Sequence, residues 1–220
     1  KVVLQHCFIL RDFYIFVGIN KYKYMETQKI ITATEATANP APLGLLGFAL
    51  TTILLNLHNA GFITLSTVTL AMGIFIGGMA QVIVGIMEWK KNNTFGTTAF
   101  TAYGFFWIIL VALLVMPSKG LGSAPGKNEM TAFLALWGIF TLFMFIGTLR
   151  LNRALQIVFG SLVILFALLA VADFTENHIL KVIAGYEGIF CGLSALYASM
   201  AQVLNEMYGK VVMPLGPVKK

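Results

Sequence analysis

The sequence contains six apolar stretches, each long enough to cross a lipid bilayer as a helix. A helix needs about 20 mainly apolar residues to cross the hydrocarbon core. These stretches have little helical periodicity of polar residues, which is typical of helices surrounded by lipid and protein. The predicted spans are Pro42–Leu57, Thr67–Trp89, Thr97–Met116, Met130–Leu149, Ala154–Ala172 and Leu180–Glu206. The chain is therefore predicted to be an all-α integral membrane protein.

The composition excludes a water-soluble domain. Only 11% of the residues are charged, whereas soluble domains carry about a quarter. The formal net charge of +6 does not indicate nucleic-acid binding, because no basic helix face or aromatic stacking platform accompanies it. The chain is therefore predicted to be surrounded by the lipid bilayer rather than by water.

Lysine and arginine residues are divided unequally between the two sides of the predicted bundle. If the first span enters from the cytoplasm, twelve of the 15 basic residues lie on cytoplasmic segments, and three, Lys119, Lys127 and Lys181, lie opposite. Without the basic residues that precede Met25, the ratio is still eight to three. Positively charged loops usually remain cytoplasmic, so both termini are predicted to be cytoplasmic.

The chain divides into a membrane domain and two flanking segments. Residues 1–38 are an N-terminal extension and polar tail; the apolar pieces of residues 1–24 are too short to span a bilayer. We expect the extension to be disordered or to lie on the membrane surface, with an amphipathic anchor as the alternative. Residues 39–209 form the six-helix transmembrane domain, and residues 210–220 form a short cytoplasmic tail.

Motifs of enzymes and metal sites are absent from the sequence. Cys7 and Cys191 are expected to lie far apart, and neither belongs to a CxxC or His–Cys cluster. There is no nucleotide-binding glycine loop, HExxH or GxSxG. The sequence therefore predicts a protein that is not an enzyme and that uses no cofactor or metal.

Span one begins with the segment Asn39-Pro40-Ala41-Pro42-Leu43-Gly44-Leu45. Asn39 suits a helix N-cap, and Pro40 suits the first turn, where a missing N–H costs nothing. Gly44 and Gly47 allow another backbone to approach closely. These residues alone predict a well-capped helix whose first turn presents unpaired N–H groups to the cytoplasm.

The same segment resembles the signature of the acetate uptake transporter family, the succinate–acetate permeases. The likeness covers about Ala38 to Gly209. The other matching segments are Thr51 to Asn59, Asn93-Thr94-Phe95-Gly96, Tyr103-Gly104, Leu136-Trp137-Gly138 and Phe140-Thr141-Leu142-Phe143.

The resemblance implies passage of acetate, and of succinate in some members, through a pore within each six-helix protomer. It also implies a homo-hexamer and a multi-pass protein of the plasma membrane. The residues that match the family's hydrophobic constriction are Phe48, Tyr103 and Leu162. Two mechanisms stay open, an anion channel and a proton-coupled carrier.

A carboxylate that crosses an apolar region needs hydrogen-bond donors in place of water. Thr52 and Asn56 are four residues apart and share a helix face, which Phe48 extends by one turn. The alternative is that hydroxyls on this helix bond to the carbonyl four residues earlier. Together with the resemblance, the predicted substrate-contacting residues are Asn39, Pro40, Leu43, Thr51, Thr52, Asn56 and Gln81.

Two acidic residues within apolar stretches are candidates for a proton or charge site. Glu88 follows Gln81 by seven residues and so lies on nearly the same helix face; its alternative role is an interfacial ion pair with a neighbouring lysine or arginine. Glu187 lies deeper, in span six. It could accept a proton during coupled uptake, or it could simply hydrogen-bond to a neighbouring helix.

The sequence therefore predicts transmembrane passage of acetate and related small carboxylates. The alternative is a non-transporting membrane sensor or scaffold. Such a protein would need a signalling tail or a partner domain, and the segment after Glu206 is too short for a domain.

Overall fold

The computed structural model describes residues 37–218, and within them six helical spans are long and apolar enough to cross a membrane. The predictions for residues 1–36, including Cys7, lie outside the described residues. The helices are α1 (Ala41–Asn59), α2 (Thr67–Met72), a π-helical segment (Gly73–Ala80), α3 (Gln81–Lys90), α4 (Thr94–Val115), α5 (Lys127–Thr148), α6 (Arg153–Thr175) and α7 (His178–Tyr208). The second span consists of α2, the π segment and α3. All six predicted spans are confirmed, with ends that differ by a few residues.

The spans pack side by side in the order α5, α6, α7, α1, span two and α4. Between α4 and α5 the backbones approach at few points, and aromatic side chains fill the gap. The rings of Phe106 and Phe133 stack there with centroids 5.7 Å apart. Of the aromatic residues in α5, Phe143 is 70% exposed. Trp137 and Phe140 instead pack inward against α4.

Glycines bring α1 into close contact with its two neighbours. On α7, a Cβ at Gly188 would overlap the Asn56 side chain, and one at Gly192 would meet Ile53. On span two, a Cβ at Gly77 would lie 2.7 Å from the Thr51 hydroxyl oxygen. Small residues of this kind let helix backbones approach within a membrane.

The middle of span two is wound as a π-helix, which sequence periodicity did not predict. The segment Gly73–Ala80 faces α1 and α4. Two backbone carbonyl groups in or beside this segment lie close to side-chain donors. The Thr51 hydroxyl oxygen lies 3.3 Å from the Met72 oxygen, and the Gln81 side-chain amide donates a hydrogen bond to the Gly77 oxygen at 2.6 Å. π segments are rare and often occur at functional sites.

Two loops and the C-terminal segment lie on one face of the bundle, which we call the basic face. Its loops are residues 91–93 and 149–152, and an even number of spans returns the chain to the same side. The side chain of Asn39, before α1, donates a hydrogen bond to Gln202, near the end of α7 (3.0 Å). The positive-inside rule predicts that this face is cytoplasmic.

Residues 210–218 fold back onto the start of α6, and we call them the C-terminal strap. The backbone N–H groups of Arg153 and Ala154 donate to the carbonyl oxygens of Gly216 and Leu215, at 2.8 and 3.0 Å. The first N–H groups of a helix have no partner within it, so the strap supplies acceptors that α6 lacks. The described part of the segment predicted to be a short cytoplasmic tail is thus hydrogen-bonded to the start of α6.

Asn205 of α7 fixes the other side of the strap. Its amide oxygen accepts from the N–H groups of Val212 (2.7 Å) and Met213 (2.9 Å), and its amide nitrogen donates to the Met213 oxygen (2.8 Å). The Tyr197 hydroxyl donates to the Pro214 oxygen at 2.9 Å. The strap is therefore held by side chains of α7 and by the backbone of α6.

Replacing Asn205 with alanine should loosen the strap without unfolding the bundle. The variant loses three hydrogen bonds, each contributing about 1 kcal/mol, so local opening of residues 210–218 becomes at least about tenfold more frequent. Hydrogen exchange followed by mass spectrometry measures this directly. Glu206→Ala, at the next position, is the control and should leave exchange unchanged; equal protection of the strap in Asn205→Ala and wild type would contradict the assignment.

Candidate permeation pathway

A cavity of about 600 Å³ extends from the basic face into the bundle. Side chains of Lys91 and Arg150 line it near the face, and Leu215 and Val218 of the strap form part of the same wall. Lysine and arginine at the mouth of a cleft raise the local concentration of anions. The charge at the mouth of this cavity would therefore favour an anion over a cation.

The inner end of the cavity is formed by Phe48, Tyr103 and Leu162. These residues lie seven residues into α1 and nine residues into α4 and α6, which places all three roughly 10–14 Å below the basic face. The rings of Phe48 and Tyr103 have centroids 6.1 Å apart. Three buried side chains from three helices therefore meet at one depth, as the family resemblance implies for a constriction.

Tyr103 is held in a cage of aromatic rings. The ring centroids of Trp137, Phe140 and Phe159 lie 6.0, 5.5 and 6.1 Å from its own. Aromatic pairs at these distances favour tilted arrangements and contribute beyond their buried area. The orientation of the Tyr103 ring is consequently set by α5 and α6 together.

A buried hydrogen bond fixes the hydroxyl group of Tyr103. The Thr141 hydroxyl donates its only hydrogen to the Trp137 carbonyl oxygen at 2.7 Å. The Tyr103 oxygen lies 2.9 Å from the Thr141 oxygen, so Tyr103 is the donor in this second bond. With its hydroxyl bonded to α5, Tyr103 can present only its apolar ring to the cavity.

Glu88 and Gln81 both line the cavity, as their spacing predicts. The carboxylate of Glu88 accepts a hydrogen bond from the Asn93 side chain at 2.6 Å, and the other end of that amide accepts from the N–H of Gly96 at 3.1 Å. Asn93 is thereby the N-cap of α4, and its side-chain amide also donates to the buried carboxylate of Glu88. This amide contact differs from the ion pair with lysine or arginine that the sequence suggested.

Asn39 lines the cavity mouth but does not occupy the N-cap position. Helix α1 begins at Ala41, and Pro40 takes the N-cap position. Asn39 lies one residue earlier, and its side-chain oxygen accepts from the Ala41 N–H at 3.2 Å. The same side chain also reaches Gln202, which lines the cavity as well.

The polar residues of α1 differ in whether their side chains are available. Thr51 donates to the Gly47 oxygen at 2.9 Å, and Asn56 donates to the Thr52 oxygen at 2.9 Å. These are the bonds to the carbonyl four residues earlier that the alternative interpretation expected. The hydroxyl of Thr52 is buried and has no hydrogen-bond partner. Among these three residues, only Thr52 has a side chain without a hydrogen-bond partner.

Glu187 lies away from the cavity, in a groove on the outer side of the protomer. The groove is lined by α5, α6 and α7, with Ser161 and Phe190 among its residues. One carboxylate oxygen of Glu187 is buried without a hydrogen-bond partner. Its position is roughly 14 Å from the start of α7, near mid-membrane depth.

A second cavity of about 620 Å³ opens on the opposite face, between the ends of α4 and α6 and the starts of α5 and α7. Ion pairs cross it: Lys127 with Glu176 at 3.3 Å, and Lys181 with Asp173 at 3.2 Å. Two of the three lysines predicted for that side are thus paired with acids.

Near the predicted outer end of α1, His58 contacts the Ile63 oxygen through its Nδ1 atom at 3.2 Å.

The structure brings together half of the predicted site residues. The six that line the basic-face cavity are Asn39, Phe48, Gln81, Glu88, Tyr103 and Leu162. The six that do not are Pro40, Leu43, Thr51, Thr52, Asn56 and Glu187. Sequence reasoning did not identify the remaining polar wall residues, which are Lys91, Asn93, Arg150, Asn152 and Gln202. Four of them lie in short polar loops beside span ends, a signal that every loop of a membrane protein shares, and Gln202 lies within α7.

Comparison with known proteins decides the family. The family model described as the GPR1/FUN34/yaaH family matches residues 23–219. The chain belongs to this family. It therefore lies among multi-pass membrane proteins, in agreement with the six spans.

Relatives of known name support the assignment. The succinate-acetate/proton symporter SatP of Escherichia coli K12 is 56% identical over 179 residues, which cover 81% of this chain and 95% of SatP. Ammonia transport outward protein 2 of Saccharomyces cerevisiae is 34% identical over 173 residues, which cover 76% of this chain and 61% of the yeast protein. A solved structure described as the bacterial acetate channel SatP matches with a TM-score of 0.81 and 56% identity, covering 82% of this chain and 99% of that one. The six-helix fold is confirmed.

The bond between Tyr103 and Thr141 predicts a specific energetic coupling. Thr141→Val leaves the buried Tyr103 hydroxyl without a partner, which costs about 1–3 kcal/mol, and should lower the Tm. The same change in a Tyr103→Phe background should cost much less, because no hydroxyl remains to be satisfied. Thr141→Ser, which keeps the acceptor, is the control. Equal effects of Thr141→Val in the two backgrounds, measured by thermal melting in detergent, would contradict the bond.

Proposed function

We propose that the protein carries acetate and similar small carboxylates across the plasma membrane through a pathway within each protomer. The observation that carries this proposal is the basic-face cavity ending on Phe48, Tyr103 and Leu162. The family match and the printed function of SatP as a succinate-acetate/proton symporter support the choice of substrate.

The wall chemistry of the cavity suits a small anion with an apolar end. At the mouth, Lys91, Arg150 and amide groups can replace water around a carboxylate. Deeper in the cavity, Val158, Phe159 and Leu162 form an apolar wall, and the amide of Gln81 also contributes to the lining. A methyl group is compatible with such a surface, whereas a larger or fully hydrated ion loses water without compensation. The constriction is therefore proposed to select by size and hydration.

We also propose that passage is channel-like rather than tightly coupled to a proton. Among the described residues that line the cavity, the acidic residue is Glu88, which lies near the mouth and is bonded to Asn93. Glu187 faces the outer groove. Of the three constriction residues, Tyr103 is ionisable, but its hydroxyl donates to Thr141. No carboxyl or imidazole group therefore lies at the constriction to carry a proton with the substrate.

Assembly into a homo-hexamer, implied by the family resemblance, is likewise a proposal. Large apolar side chains on the outer surface of α5, including Leu136 and Phe143, are 67% and 70% exposed in one protomer. A neighbouring protomer or lipid could cover them. Native mass spectrometry of the detergent-solubilised protein should give the mass of six chains; any other copy number contradicts the hexamer.

Widening the constriction should relax selectivity. In liposomes, the wild type should take up labelled acetate above the background of empty liposomes. Phe48→Ala and Leu162→Ala should raise the uptake of propionate or succinate relative to acetate at least severalfold, because a narrow apolar segment sets the size limit. Phe105→Ala, on the exposed side of α4, is the matched control. No uptake by folded wild-type protein would instead favour the sensor or scaffold alternative.

Proton coupling can be tested in the same liposomes. Under the channel proposal, acetate flux follows the membrane potential when the pH is equal on both sides, and Glu187→Gln leaves this flux within about twofold of wild type. The membrane potential and the pH gradient are clamped separately, and neutral acetic acid leakage is subtracted. Flux that requires a pH gradient and disappears in Glu187→Gln would establish a proton-coupled carrier.

A further inference from the structure

The C-terminal strap forms part of the wall at the mouth of the basic-face cavity. The side chains of Leu215 and Val218 line the cavity there, together with Lys91 and Arg150 of the basic-face loops. The two strap side chains are apolar, whereas the two loop side chains are cationic. An apolar wall offers a hydrated carboxylate no hydrogen bond in place of water. The strap side chains therefore oppose an entry that the cationic side chains favour.

The strap is paired with one of these loops, residues 149–152. The N–H of Val218 donates to the Leu151 oxygen at 3.2 Å, and Asn152 and Pro217 form an isolated antiparallel bridge. These contacts continue the hydrogen bonds that the strap makes with the first N–H groups of α6. The backbone of the strap is thus bonded to the loop and the helix while two of its side chains reach the cavity.

Hydrogen bonds near the surface, rather than deep apolar burial, hold the strap in place. Every residue from 210 to 218 is at least partly exposed, and the side chains of Val211 and Val212 are 75% and 44% exposed. Segments with exposed hydrogen bonds and few buried apolar contacts are the ones that open locally while the rest of a protein stays folded. The strap has these properties, and the helices that it joins do not depend on it for their packing in the membrane.

Gly216 lets the strap backbone lie against α6. Its φ angle is +65°, a conformation that glycine adopts without strain. A Cβ at this position would lie 2.9 Å from the Cβ of Arg153. Both the backbone conformation and the close approach therefore require glycine here. Any larger residue at this position would push the strap away from the start of α6.

We propose that the strap is a gate at the basic-face mouth of the cavity. In the attached state, Leu215 and Val218 narrow the mouth; in the released state, these side chains leave the wall and the mouth widens. The gate controls entry, whereas the deeper residues Phe48, Tyr103 and Leu162 are proposed to select the ion. This inference rests on the proposed function, because the gate controls access to the proposed pathway.

Access of thiol reagents to a cysteine inside the cavity tests the gate without measuring transport. Leu155 lines the cavity and is the third residue of α6, about two turns closer to the basic face than Leu162. Leu155→Cys protein in detergent would be treated with a small and with a bulky anionic thiol reagent. Wild-type protein, with its native cysteines, gives the background. The bulky reagent should depend on strap release much more strongly than the small one.

Variants that release the strap should increase this access. Asn205→Ala in the Leu155→Cys background should raise the rate with the bulky reagent at least about tenfold, matching the increase in hydrogen exchange of residues 210–218. The two factors agree because both reactions proceed from the open population. Glu206→Ala is the control and should change neither rate.

Gly216→Ala releases the strap by a different route, so the test does not depend on one variant. It should give the same proportion between hydrogen exchange and modification by the bulky reagent. Faster exchange of the strap with an unchanged modification rate, in either variant, would overturn the gate.

Removing an apolar side chain from the mouth tests the narrowing directly. Val218→Ala keeps the backbone bond to Leu151 but removes part of the wall, so both reagents should modify Leu155→Cys severalfold faster. Val211→Ala is the matched control, because it makes the same change in the same segment at a side chain that is 75% exposed. Equal rates in Val218→Ala and Val211→Ala would contradict the role of Val218.

The acetate uptake assay separates this inference from the proposed function. If strap release speeds modification of Leu155→Cys but folded protein takes up no acetate in liposomes, the gate stands and transport is wrong. If acetate enters liposomes and modification does not depend on the strap, the proposed function stands and the gate is wrong.

Discussion

Close contact of α1 with α7 and with span two is the constraint on which the rest of the structure depends. Within lipid, apolar side chains gain little by leaving one apolar environment for another, so helix association depends on packing and on hydrogen bonds. Gly188 and Gly192 provide this packing against α1, and Ser199 of α7 donates a buried hydrogen bond to the Pro42 oxygen at 2.6 Å. The position of α1 is thereby fixed, and with it the position of Phe48 at the end of the cavity.

The opposite side of the bundle is built differently. Where α4 meets α5 the backbones are further apart, and aromatic rings together with the Tyr103–Thr141 hydrogen bond fill the space. Glycine contacts on one side therefore place Phe48, and an aromatic cage on the other places Tyr103. The proposed constriction lies where these two kinds of packing meet, and together they hold the Phe48 and Tyr103 rings at one depth.

The number and limits of the spans could be predicted from the sequence because bilayer thickness sets a length that the chain must match. The rotation of each helix could not, because helices that are apolar on every side carry little information about which face points inward. Thr51 and Thr52 illustrate this: adjacent and identical, one bonds to its own helix and the other is free. The hydrogen bond between Thr141 and Tyr103 was not predicted for the same reason, although Thr141 is a polar residue within an apolar span. The π segment and the strap depend on backbone hydrogen bonds, which side-chain patterns do not reveal.

The central claim is that carboxylates pass between Phe48, Tyr103 and Leu162, and chemical modification at that point tests it most directly. Leu162→Cys protein in liposomes would be treated with a small anionic thiol reagent, and acetate flux measured before and after. Ile157→Cys, on the exposed side of the same helix, and the wild type with its native cysteines are the controls. The account predicts that modification at position 162 abolishes flux, that acetate slows the modification, and that both controls keep their flux. Complete modification of Leu162→Cys with unchanged acetate flux would contradict it.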